Sequence, residues 1–249
     1  MAATRDIAPR VHRLGSSTVN WYLIEEEGRF TAIDAGLPGF KRTLEEDLRA
    51  VGALPEEVEA VILTHPDADH IGLVRTLSAQ GARVLIHEAD EAKLRRPGPK
   101  SGDASAIHIL PELWRPSLWR FTVSMLASGA GRIQGMDGAQ TFTGDQTLEV
   151  PGRPRVVPTP GHTPGHCAFH FEAHGALFVG DAMCTLNPVT GTRGPQLMPR
   201  AMNESNADAF KSLDALEQLE AEIMLFGHGE PWRGGVGEAV RVARERAGL

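Results

Sequence analysis

The stretch Thr64-His65-Pro66-Asp67-Ala68-Asp69-His70 constrains this chain more than any other, because six residues carry four side chains able to bind a metal. It follows the apolar run at residues 58–63, which reads as a short buried strand with a loop at its carboxyl end. A tight loop lets alternate side chains converge on neighbouring points. Imidazole brings neutral nitrogen and carboxylate brings charged oxygen, a mixture suited to zinc, iron or manganese.

Three further motifs fall at the ends of apolar runs. Pro160-Gly161-His162-Thr163-Pro164-Gly165-His166 is a tight loop in which Gly and Pro bring the backbone close to a ligand. Phe178-Val179-Gly180-Asp181 ends in a carboxylate, and Phe226-Gly227-His228-Gly229 ends in an imidazole between two glycines. Ligands of α/β sheets gather at the carboxyl ends of strands, so all four motifs are expected on one edge.

The rest of the chain supplies the frame. Residues 18–25 and 30–34 read as a β-hairpin turning at Glu27-Gly28. Residues 83–87, 155–157, 167–171, 176–179 and 222–226 read as further strands. Helical spacing covers 40–51, with Phe40, Leu44, Leu48 and Val51 on one face, and 71–80, which Gly81 stops. Asn206 is placed to cap a helix over 207–219, and a last helix covers 236–246. Strands and helices mixed in this order predict a layered α/β sandwich. We expect a single domain over 1–249. It carries an apolar helical insert at about 97–138, with Leu113, Trp114, Leu118, Trp119, Phe121, Met125 and Leu126.

This set of motifs resembles the metallo-β-lactamase superfamily, whose pattern is H-x-H-x-D-H, a Gly-His loop, a bridging Asp and a final His. Ile33-Asp34-Ala35-Gly36 matches the family's early Asp after a β-hairpin. The resemblance runs from about residue 18 to residue 229. It implies the family's four-layer αβ/βα sandwich and a centre of two divalent ions. His65 and His162 would hold the first ion, and Asp69, His70 and His228 the second. Asp181 would bridge both, and Asp34 would orient the loops from behind. Asp67 departs from the pattern, standing where the family has its second His. Either the first site is weakened or lost there, or Asp67 is a carboxylate ligand, which would lower the net charge of the centre by one and favour harder metals; zinc is expected, with iron or manganese as alternatives. His166 is placed behind His162.

The implied chemistry is hydrolysis by a metal-bound hydroxide, with Asp69 orienting the nucleophile or shuttling its proton. An ester, lactone or thioester is the expected substrate, because the insert offers apolar contact through Trp114 and Trp119. His87 and Cys184 are further candidates for the pocket wall. Two alternatives remain at this point: a phosphodiesterase of the same fold, and an iron-dependent oxidoreductase similar to the flavodiiron core, which carries a carboxylate at the Asp67 position. A non-catalytic binding protein fits less well, since four imidazoles and three carboxylates aimed at one cavity suit chemistry.

Composition narrows the partners. The net charge is −7 and no run of Lys or Arg marks a track for nucleic acid. No apolar run has membrane-spanning length, and no apolar leader follows Met1. Two cysteines, Cys167 and Cys184, outside any CxxC pair, fit a reducing compartment, so a cytoplasmic location is expected. The 21 residues after His228 leave no room for the helical glutathione-binding domain of the glyoxalase II branch. The partner is expected to be a small molecule, with no nucleic acid or membrane. The insert could equally pack against a second subunit, giving a homodimer. His170 and His174, flanking a turn, read as surface residues.

Overall fold

The computed structural model describes residues 3–248. Four strands open the chain: β1 (Thr4–Ala8), β2 (Val11–Gly15), β3 (Asn20–Glu26) and β4 (Arg29–Ile33). They pair antiparallel in sequence order. The β3–β4 turn is the two-residue kind read from the sequence: Glu27 and Gly28 have φ of 52° and 75°, which matches the right-handed twist of the hairpin. The chain then crosses over helix α1 (Leu44–Val51) into β5 (Val58–Ile62), and over α2 (Val74–Ser78) into β6 (Arg83–His87). Helix α3 (Glu88–Arg95), helix α4 (Pro116–Ala127) and β7 (Gln140–Phe142) complete the first half. β4 to β7 pair in parallel, closing a seven-stranded sheet in sequence order.

The second sheet is built from β8 (Arg155–Pro158), β9 (Cys167–Phe171) and β10 (Ala176–Gly180), followed by the small ribbon β11 (Cys184–Leu186) and β12 (Arg193–Gln196). Helices α5 (Asn206–Lys211) and α6 (Leu213–Glu217), strand β13 (Ile223–Phe226) and helix α7 (Val236–Ala247) end the chain. The sheet order is β13-β10-β9-β8, with β10 and β13 parallel.

Alternation along the strands sorts side chains into three apolar layers. On β3, Trp21 and Leu23 face α1, α2 and α3, while Tyr22 and Ile24 face the other sheet. On β9 and β10, Phe169, Phe171 and Phe178 face inward between the sheets, while Leu177 and Val179 pack on α6 and α7. The period of two explains why each strand serves two layers. The outcome is the four-layer helix–sheet–sheet–helix sandwich implied by the motifs. Among the described residues no helix is long and apolar enough to cross a membrane.

Several local readings are corrected. Only Val74–Ser78 of the expected helix at 71–80 is helical. The preceding residues are tied instead to the turn after β4, with Gly72 N–H donating to Gly36 O at 2.7 Å and Leu73 N–H to Ala35 O at 2.9 Å. The cap of α5 is Ser205, whose side chain accepts from Asp208 N–H at 3.2 Å. Asn206 spends its amide on Asp103 and Arg200. The expected helix at 207–219 breaks at Ser212, whose hydroxyl donates to Pro160 O at 2.7 Å. His170 and His174 are buried, and His170 bonds the Glu220 carbonyl at 3.0 Å.

Phe169 is fully buried between the two sheets. Replacing it with Ala should cost about 3–5 kcal/mol, because the sheets are too constrained to collapse onto the cavity. Urea unfolding of the two proteins would show this as a lowered midpoint at unchanged slope; an unchanged midpoint would contradict the inter-sheet packing.

Candidate metal centre

The carboxyl ends of the two parallel strand pairs, β4–β5 and β10–β13, meet at one edge of the sandwich. Asp34 follows β4, His65 to His70 follow β5, Asp181 follows β10 and His228 follows β13. His162 comes from the loop between β8 and β9. The structure brings all seven expected ligands together. Three sets of donor atoms lie within 4.8 Å of one another: His65, Asp67 and His162; His65, His70 and Asp181; and Asp69, His70 and His228. Asp181 lies between the sets, with Oδ2 at 3.2 Å from His228 Nε2, 3.5 Å from His162 Nε2 and 4.0 Å from His65 Nε2. Its Oδ1 is 3.7 Å from His70 Nε2.

All four imidazoles are held from behind through Nδ1. His228 Nδ1 donates to the Thr18 carbonyl at 2.6 Å, and His70 Nδ1 to Asp34 Oδ2 at 2.8 Å. His162 Nδ1 donates to Asn203 Oδ1 at 3.1 Å, and His65 Nδ1 to Thr64 Oγ1 at 2.9 Å. The network assigns the tautomers: with Nδ1 donating, each neutral ring presents the Nε2 lone pair to the centre. Asp34 anchors this arrangement, also accepting from Thr64 N–H at 2.8 Å and from the Thr64 hydroxyl. Its φ of 61° is unusual for a residue with a side chain and marks strain maintained at a functional position.

The donors of Asp69, His70, His228 and Asp181 fit a divalent ion. Nε2 of His70 and Oδ1 of Asp181 are buried without a hydrogen-bond partner. Buried polar groups seldom stay unpaired, so these atoms point to a cation. The spacings among these four residues are 3.2 to 3.9 Å. Donors about 2.1 Å from a tetrahedral ion lie about 3.4 Å apart. Gly227 makes this approach feasible, since a Cβ there would lie 2.2 Å from Asp181 Oδ1 and 2.7 Å from His70 Cε1.

The first set does not fit in the same way, because Lys100 already sits in it. Its Nζ is 2.7 Å from Asp67 Oδ2 and 2.6 Å from His162 Nε2, and it donates to Met202 O at 2.7 Å. Burial opposes the charge on Asp67, but the Lys100 ammonium and the neighbouring imidazoles hold its carboxyl well below the usual range. Burial, followed by repulsion from His70, pushes His65 well below the usual imidazole value. For His228 burial acts downward but the Asp181 carboxylate prevails, pushing it up to about 9. His70 is likewise raised against burial, by Asp34, Asp181 and Asp69.

The other expected residues fall around this centre. His166 is no ligand: its Nδ1 bonds Thr159 Oγ1 at 2.8 Å and its Nε2 accepts from Asp181 N–H at 3.1 Å, fixing the bridging carboxylate. His87 lies outside the site and caps α3, accepting from Ala89 N–H at 3.2 Å. Cys184 is fully buried in β11, and burial pushes its thiol up. Trp114 and Trp119 stay on the outer surface, 72% and 54% exposed, one under the Arg115 guanidinium and the other donating to Leu113 O. The aromatic that reaches the centre is Phe121, edge-to-face with His228 at 5.5 Å.

Sequence reasoning missed Lys100, Asn203 and Asp90. Asp90 is buried on α3 and holds the His162 loop, accepting from Thr163 Oγ1 at 2.5 Å and from Gly165 N–H at 3.1 Å. None of the three lies in a spaced motif. A hollow of about 280 Å³ opens beside Asp67, while a larger one, about 720 Å³, lies among α1 and α2 and contains no ligand side chain.

Comparison with known proteins decides the family. The sequence pattern of the metallo-beta-lactamase superfamily matches residues 14–228. The chain belongs to the metallo-beta-lactamase superfamily. Within it, the chain is a metal-dependent hydrolase. It is 29% identical over 217 residues to an uncharacterized Bacillus subtilis (strain 168) protein, YobT, covering 85% of this chain and 83% of that one. A probable metallo-hydrolase of the same organism, YflN, is 26% identical over 252 residues, covering 92% and 87%. A hydroxyacylglutathione hydrolase of Chelativorans sp. (strain BNC1) is 26% identical over 128 residues, about half of each chain. Among solved structures, a metallo-beta-lactamase family protein from Thermus thermophilus superposes with a TM-score of 0.68 at 27% identity, over 96% of this chain and 80% of that one.

The hydrogen bonds behind the imidazoles can be tested through metal affinity. Asp34→Ala should weaken metal binding on the order of 10–100-fold by freeing the His70 ring, as a competitive chelator titration would read. In the metal-stripped protein His228, pushed up to about 9, holds a proton at neutral pH, and His70 is shifted in the same direction. A metal must displace such protons, so affinity should fall as pH drops below about 9, and loading at pH 7 should release protons. Proton-free uptake in a weakly buffered indicator assay would contradict this assignment.

Proposed function

We propose that this hydrolase cleaves a small ester, lactone or thioester with an apolar portion. The observation that supports the reading is Phe121, whose ring packs edge-to-face on that of His228 at 5.5 Å. Helix α4 is anchored over the site from several sides. Ser117 Oγ donates to Val189 O at 2.6 Å, Ser124 Oγ lies 3.1 Å from Thr18 Oγ1, and the Ser128 carbonyl accepts from Gly39 N–H at 2.8 Å. The helix is therefore held fixed beside His228.

Asp69, His70, His228 and Asp181 would hold the metal, with zinc the ion best suited to this nitrogen and carboxylate set. When bound, a divalent ion lowers the pKa of water from about 15.7 toward 7 and polarises an acyl oxygen. Asp69 would orient the attacking water and take its proton; its Oδ2 lies 3.4 Å from His228 Nε2. Phe121 would bind the apolar portion and exclude bulk water from the His228 side. The thioester hydrolysed by a hydroxyacylglutathione hydrolase belongs to the same acyl chemistry. An iron-dependent oxidoreductase of the flavodiiron kind would need Asp67 as a ligand, and that carboxylate is paired with Lys100.

A panel of aryl esters, lactones and acyl thioesters of increasing chain length, with bis-nitrophenyl phosphate alongside, tests the reading. Metal-dependent turnover should favour the longer acyl groups. Phe121→Ala should raise KM for them about tenfold with kcat little changed, the loss expected for one apolar contact. Turnover confined to the phosphodiester, or equal effects on short and long acyl chains, would overturn it.

A further inference from the structure

The Lys100 ammonium stands where the first ion of a binuclear centre would bind. Asp67 Oδ2 and His162 Nε2 are 3.1 Å apart, and Nζ lies 2.7 and 2.6 Å from them in the same notch. An ion using those two atoms would need that space, and the ammonium would repel it. The His162 lone pair is also spent, because its Nδ1 already donates to Asn203 and its Nε2 accepts from Lys100. The Met202 carbonyl at 2.7 Å takes the third contact, so all three ammonium donors have acceptors.

The segment carrying Lys100 is fastened in place. Ser101 Oγ donates to Glu204 Oε2 at 2.7 Å, Asp103 N–H to Glu204 O at 2.9 Å, and Asn206 N–H to Asp103 Oδ2 at 2.8 Å. Gly102 permits the close approach, because a Cβ there would lie 2.1 Å from Glu204 O. The ammonium is thus delivered by a built loop joined to the loop that orients His162. The charges also close: one divalent ion and one ammonium neutralise Asp67, Asp69 and Asp181, whereas two ions and the ammonium would leave two excess positive charges in a buried site.

We propose that Lys100 is a built-in replacement for the first metal, so that each chain holds one divalent ion, at Asp69, His70, His228 and Asp181. This rests on the metal-dependent reading of the centre and not on its acyl substrate. The ammonium has no free donor for substrate. Its role is to hold Asp67 and His162 together and to supply fixed positive charge beside the remaining ion.

The test is metal stoichiometry by plasma mass spectrometry after stripping, reloading with excess zinc and desalting. Wild type should retain about one ion per chain and Lys100→Ala about two; the double variant Lys100→Ala/Asp67→Ala should return to about one. Lys100→Gln, which keeps the stem but not the charge, supplies the same reading if Lys100→Ala fails to fold, and the ion retained at Asp69, His70, His228 and Asp181 reports folding in each variant. Two ions in wild type, one in both proteins, or none in wild type overturns the proposal. Failure of the acyl panel would leave these counts untouched.

Discussion

Three carboxylates, Asp67, Asp69 and Asp181, converge on one buried edge of the sandwich, and their mutual repulsion has to be offset by positive charge brought to the same place. Asp69 and Asp181 are buried and Asp67 is only partly exposed, so water screens them weakly, and every element at this edge answers to that requirement. Four imidazoles turn Nε2 inward because their outer nitrogens are spent on Asn203, Thr64, Asp34 and a backbone carbonyl. Arg13 contributes from one step further out. Its guanidinium holds Glu230 and the Gly229 carbonyl, and with Asn20 and Tyr22 it fixes the loop that presents His228. Stability and function are joined here, since releasing any of these contacts would leave a buried charge or lone pair without a partner.

The fold serves this demand through its parallel strand pairs. Parallel strands end on the same side, so β4 with β5 and β10 with β13 deliver Asp34, the His65 loop, Asp181 and His228 to one edge from two sheets. The aromatic layer of Phe169, Phe171 and Phe178 sets the distance between those sheets, and therefore the distance across the centre. The packed interior and the donor geometry are one structure viewed at two depths.

Much of this was legible in the sequence, for a physical reason. The ligands lie in short loops directly after apolar runs, so strand pattern and donor chemistry point to the same residues. The Glu27-Gly28 turn and the strands at 58–62, 83–87 and 167–171 follow from the same alternation. What failed was whatever depends on contacts distant in sequence. The start of the helix expected at 71–80 is overridden by hydrogen bonds to the turn after β4, and Ser212 breaks another helix by reaching to Pro160. Trp114 and Trp119 drew attention by size, yet the face of α4 that meets the centre carries Phe121. Lys100 carries no local signal, since a lysine in a Pro- and Gly-rich loop is ordinarily a solvated charge.

The chain thus carries two kinds of information. The donor set is written in local motifs and is shared with the family whose pattern spans residues 14–228. The features that would set this chain's own chemistry, the ammonium of Lys100 and the ring of Phe121, both come from the segment between β6 and β7. That segment carries α3 and α4 but adds no strand to either sheet, and it is held by hydrogen bonds to residues 187–206. A centre whose charge and apolar wall arrive on such a segment can be altered without disturbing either sheet. The sandwich fixes where a reaction can happen, and the segment laid across its edge governs which ion count and which substrate that place accepts.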